Sequence, residues 1–114
     1  MPPIAEQLPE EVPRLIGLSL LAEELELYEA AEDLLQRYLR RRTDETLRLA
    51  AFYGRRHRLE DALFVCQQAI DEGRSHTEVC GVGAAVLRAC LTDPEVEVTD
   101  DHFSKVEGWI DKAL

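Results

Sequence analysis

The chain has 114 residues, 46% of them hydrophobic and 32% charged, with a net charge of −10 at pH 7. That balance is the profile of a folded chain of single-domain length and excludes intrinsic disorder. The acidic excess excludes nonspecific binding to nucleic acid or to an anionic membrane surface as a whole-molecule property, and three cysteines, an odd count without CxxC spacing, exclude a disulfide framework.

Six amphipathic helices are predicted from the 3.6-residue period. The first runs from about Glu11 to Leu25, with Val12, Leu15, Leu18, Ala22 and Leu25 on one face and Pro13 in its first turn. A second, from about Tyr28 to Arg41, aligns Tyr28, Ala31, Leu35, Tyr38 and Leu39. The third is expected from Asp44 to Arg55 with Thr43 as its N-cap, because hydroxyls satisfy the free N–H groups of a first turn and acids favour its dipole. The fourth, Leu59 to Glu72, should stop at Gly73, a residue suited to the left-handed cap. Ser75 and Glu78 have capping-box spacing and open the fifth helix, which reaches about Leu91. Thr92 to Val98 reads as an irregular acidic loop, and Thr99 followed by Asp100 and Asp101 opens the sixth helix.

The chain also repeats itself. An offset of 31 lays Leu18, Ser19, Ala22, Tyr28, Ala31, Leu35 and Tyr38 on Leu49, Ala50, Tyr53, Leu59, Ala62, Cys66 and Ala69. A third copy matches in two pieces: Leu49, Ala50 and Tyr53 fall on Val82, Gly83 and Val86 at 33. Leu59, Ala62, Cys66 and Ala69 fall on Phe103, Val106, Ile110 and Ala113 at 44, the difference being an insertion of 11 residues. Small residues fall in facing pairs, Ser19 with Ala31 and Ala50 with Ala62, where they let two helix backbones approach; Gly83 keeps this role opposite Val106.

The apolar and small positions over Thr43 to Gly73 resemble those of the tetratricopeptide repeat family, and the resemblance extends over about residues 12 to 114. Where that family commonly has a turn glycine, this chain has Glu26 and His57. The resemblance implies one TPR-like domain over residues 1–114. Three antiparallel helical hairpins, about 11–42, 43–74 and 75–114, would stack into a short right-handed superhelix, with the inserted loop at about 92–98. By repeat phase it places Ile16, Leu20, Glu23 and Glu24, then Leu47, Ala51 and Arg55, then Cys80, Ala84, Leu87 and Arg88 on the concave face. A protein or peptide partner would bind there. An alternative is a structural piece of a longer helical-repeat protein, or a homo-oligomerisation module that self-associates through the C-terminal helix around Trp109.

Catalytic and metal-binding chemistry finds no footing in the residue pattern. Cys66, Cys80 and Cys90 read as small buried hydrophobes without a paired base, and His57, His76 and His102 lack the HxxxH or HExxH spacing of helix-borne ligands. Asp93, Glu95, Glu97 and Asp101 alternate like a calcium loop. Val98 stands at the position that needs glycine, however, and Ser104 at the bidentate glutamate, so neither a metal nor another cofactor is expected, and no enzyme. Between Arg37 and Arg58 eight arginines stand against two acids, a local charge of +6 that leaves −16 for the rest. Helix-end and i,i+4 pairing, as between Asp33 and Arg37, accounts for this cluster; its functional reading is a patch for an acidic ligand. No apolar run approaches the roughly 20 residues that span a bilayer. The Met1-Pro-Pro-Ile-Ala-Glu start lacks a secretory pattern, so neither a nucleic-acid nor a membrane partner is expected, and the expected compartment is the cytoplasm.

Overall fold

The computed structural model describes residues 11–114. Among them are six α-helices, one three-ten segment and no strand, which makes the described chain all-α. The reading of the Met1–Glu6 stretch lies outside the described residues. No helix among the described residues is long and apolar enough to cross a membrane. The chain divides into two compact units, one ending at Glu45 and the other spanning Thr46–Leu114.

In the first unit α1 (Glu11–Glu24) packs against α2 (Tyr28–Arg41). The buried face is narrow and built of small residues: Ser19, Ala22 and Ala31, closed by Leu35 and Tyr38. Ser19 is buried, yet its hydroxyl is satisfied, donating 2.8 Å to the carbonyl of Ala31. The pairing read from the 12-residue separation is therefore a hydrogen-bonded crossing.

At the end of α1 the backbone reverses through Glu26, whose φ is +62°. There the Leu27 N–H reaches the Ala22 carbonyl at 2.9 Å and the Glu26 N–H reaches Glu23 at 3.0 Å. These two bonds form a Schellman cap, which ordinarily takes glycine at the left-handed residue. After α2 the expected helix does not begin at Asp44. Thr43–Glu45 forms a three-ten turn, held by Tyr38 Oη donating 2.8 Å to Glu45 Oε1 and by Arg42 Nη2 at 2.8 Å from Glu45 Oε2. A single turn drawn back onto α2 uses the acids that would have opened the next helix.

The second unit holds α3 (Leu47–Arg55), α4 (Leu59–Asp71), α5 (His76–Leu91) and α6 (Asp100–Ala113). α3 packs on α4 and α5 on α6, while α5 also packs against both α3 and α4. Phe52, Val79, Val86, Cys66 and Cys90 are its largest fully buried side chains. Burial of aromatic and aliphatic groups on this scale supplies most of the driving force for a small domain. Two close approaches set the helix spacing. A Cβ on Gly54 would lie 2.8 Å from Val86 Cγ2, and one on Gly83 would lie 3.0 Å from Trp109 Cζ3 and 3.3 Å from Val106 Cγ2.

Turns follow a common scheme. His57, with φ +59°, closes α3 as Glu26 closes α1: Arg58 N–H to the Tyr53 carbonyl at 2.8 Å, His57 N–H to Gly54 at 3.0 Å. Gly73, φ +96°, ends α4 as predicted. Ser75 Oγ accepts the Glu78 N–H at 3.1 Å, while the Glu78 carboxylate turns to Arg74 at 2.8 Å, so only half of the anticipated capping box forms.

The acidic insertion is anchored to the second unit. Asp93 Oδ1 accepts the Glu95 N–H at 2.9 Å and Oδ2 lies 2.8 Å from His57 Nδ1. The Glu95 N–H first, and His57 second, hold the Asp93 carboxyl below its ordinary value. Trp109, around which self-association through the C-terminal helix is expected from sequence, is buried against Gly83. A glycine on the facing helix leaves the space that admits its ring.

Candidate binding groove

Between α3 and α5, within the second unit, lies a groove of about 440 Å³. Its floor is Gly54 against Val86, and the absence of a side chain at Gly54 is what lets the two helices approach there. Ala51 from α3 and Gly81, Val82, Ala85 and Ala89 from α5 form its walls. Positions 78, 81, 82, 85 and 89 share one stripe of a 3.6-residue helix, so their side chains face the groove together. Arg55, at the C-terminal end of α3, and Glu78, in the first turn of α5, place opposite charges on the rim. Arg55 also lies 6.0 Å over the Phe52 ring.

Of the residues placed on the concave face from the sequence, Ala51 and Arg55 line this groove. Leu47 is half-buried nearby on α3, and Ala84, Leu87 and Arg88 lie outside the lining. Leu87 is buried with Val79, Val86 and Cys90, so it belongs to the core and offers nothing to a ligand. On α5 the groove is lined by a different stripe, which begins at Glu78 and continues through Gly81 and Ala85. Small residues four apart at Gly81, Ala85 and Ala89 are the sequence signal that would have found it. In the first unit Ile16 and Glu23 are half-buried and Leu20 is exposed on α1.

Two of the three thiols, Cys66 and Cys90, are buried in the core. Burial pushes the Cys66 thiol up to about 11, and the Cys90 thiol is raised by burial first and by Asp93 second. Both therefore remain protonated and unreactive at neutral pH. His102 Nδ1 accepts the Thr99 N–H at 2.9 Å, which fixes the proton of the neutral ring on Nε2, 2.6 Å from Glu60 Oε2. It serves as the third residue of a helix cap, the kind of role its place near a helix start suggests. Among the described residues no three His, Cys, Asp or Glu side chains gather to hold a metal ion.

Much of the arginine cluster is engaged locally. Arg37 lies 3.7 Å from Asp33, Arg42 3.4 Å from Asp44, and Arg58 2.9 Å from Asp61 and 4.3 Å over the Tyr53 ring. Exposed pairs of this kind contribute about 0–1 kcal/mol each, so they explain the placement of the charges more than they hold the fold. Comparison with family models, with curated proteins and with solved structures finds no match to this chain.

Proposed function

We propose that the chain is a TPR-like helical-repeat module whose work is to bind a protein or peptide, with the α3–α5 groove as its principal contact. One observation carries this reading: an open, small-walled apolar groove of about 440 Å³ lies where α3 and α5 pack together. Apolar walls supply affinity by excluding water, and oppositely charged rim groups fix the direction in which a segment lies. The reading is supported by the internal repeat at 31 and 33 residues and by the pairing of each helix with its neighbour in sequence within both units. In this picture the helix pairs are antiparallel hairpins stacked as a right-handed superhelix, and the ligand's acidic end lies toward Arg55.

Selection of peptides from a random library on the intact chain tests it. Binders should recur with a common apolar core, and Ala85→Arg, which fills the exposed wall of the groove without entering the core, should weaken them at least tenfold. Selection that yields no saturable binder, or binders indifferent to Ala85→Arg, contradicts the proposal. A second reading, a unit within a larger helical stack, is favoured by the apolar side chains left open on α6.

A further inference from the structure

Helices α4 and α6 occupy equivalent places in the repeat, so their faces can be compared residue by residue. Ala62 and Val106 share one position and both are buried, as are Val65 and Trp109, one further turn along. Leu59 and Cys66 are 5% and 0% exposed. Their counterparts Phe103 and Ile110 are 44% and 40% exposed. The neighbours explain the contrast: α4 packs against α3 and also against α5, the first helix of the following pair, whereas α6 packs against α5, its own partner. The uncovered side of α6 is thus the side that α4 turns toward the next helix. One substitution marks it further, since Glu107 stands exposed where α4 has the buried Leu63.

The geometry points to the Phe103–Ile110 stripe of α6 as a docking face for a further α-helix. That helix has the chemistry of α5: a small and aliphatic contacting stripe, here with a lysine or arginine opposite Glu107. The chain itself shows what such a face receives, because the equivalent stripe on α4 is covered by α5. A charge at the centre of an apolar contact is tolerated when it is paired, and this selects a cationic side chain on the incoming helix. The inference rests on the repeat reading of the second unit and is independent of the α3–α5 groove as a ligand site.

The test is an extension in register. Ala69 and Ala113 hold the same repeat position, so a second copy of residues 71–114 joined after Leu114 presents its first helix to α6 as α5 is presented to α4. Thermal unfolding of the extended chain should give a single transition with a midpoint raised by roughly 5 °C, as nearest-neighbour coupling predicts. The copy of α5 carries no residue selected to face Glu107, so the rise should be larger in a Glu107→Leu background. Phe103→Ser with Ile110→Ser in the joining helix should remove the rise, read against the unextended chain carrying the same two substitutions, because each side chain is already partly buried. A midpoint unmoved in both backgrounds, or a rise that survives the double serine variant, overturns the docking face. Peptide binding at the groove is read separately through Ala85→Arg and is untouched by either result.

Discussion

At the repeat position shared by Ser19 of α1 and Gly83 of α5, two helix crossings are built from different materials. Ser19 lies against the backbone of α2 and donates its hydroxyl to the Ala31 carbonyl at 2.8 Å. Gly83 lies under an indole, with Trp109 and Val106 of α6 so near that a Cβ would come within 3.0–3.3 Å of them. The first crossing joins small residue to small residue with a hydrogen bond across the gap. The second joins a missing side chain to the largest one available. What the two crossings share is therefore close packing and not side-chain volume, since cores are packed to near-crystalline density and fill whatever space the facing residue leaves.

The largest effect should come from the crossing with no spare room. Gly83→Leu must displace the Trp109 ring and should lower stability by about 3 kcal/mol, measured by urea unfolding; overpacked cores typically lose 1–3 kcal/mol and occasionally more. Unchanged stability would mean that the ring is free to move aside. Ser19→Ala, by contrast, keeps the volume and removes one bond, so a loss of about 1 kcal/mol is expected. A loss as large as that at Gly83 would show that the first crossing is as tightly filled as the second.

The turns sharpen the same comparison at smaller scale. Glu26 and His57 are 31 residues apart and both sit at positive φ, a conformation that strains residues with a Cβ by about 1–2 kcal/mol. Glu26→Gly should relieve that strain, less the entropy glycine gains in the unfolded chain, for a net stabilisation of roughly 0.5–1 kcal/mol. At His57 the same change also removes the contact with Asp93, so the melting midpoint should rise less than at Glu26. Equal gains at the two sites would show that the histidine contact adds nothing.

Asp93 gives the smallest effect and a pH signature. Its carboxyl is held below 3.8 in the folded chain, so the folded state favours the charged form. The stability it contributes is present above that ordinary value and is lost as the pH falls through the lower, folded one. Asp93→Asn should therefore be less stable than the parent at about pH 6, and the gap should close in acid. A gap independent of pH would assign the effect to the turn geometry alone.

Where the sequence was legible, local chemistry and repeat register agreed. Five of the six helices both begin and end within a residue or two of their predicted bounds, and Gly73, Ser75 and Thr99 mark three of those termini. The third helix starts late because Tyr38 and Arg42 draw Glu45 back onto α2, a side-chain competition that periodicity does not register. Glu26 and His57 stood out in the sequence as missing turn glycines; the backbone adopts the glycine conformation without the glycine, and only its dihedral angles disclose this. Of the groove's α3 residues, repeat phase singled out Ala51 and Arg55 and passed over Gly54, whereas the α5 wall depends on how far that helix is rotated about its axis, which Trp109 in the space above Gly83 helps to set.

The most direct test of the binding proposal is amide chemical-shift mapping of a library-selected peptide on the isotopically labelled full chain. The account predicts saturable changes clustered at Ala51, Gly54, Gly81, Val82, Ala85 and Ala89, with α4 and α6 unmoved. Saturable changes centred on another surface, with the α3–α5 groove silent, would contradict it.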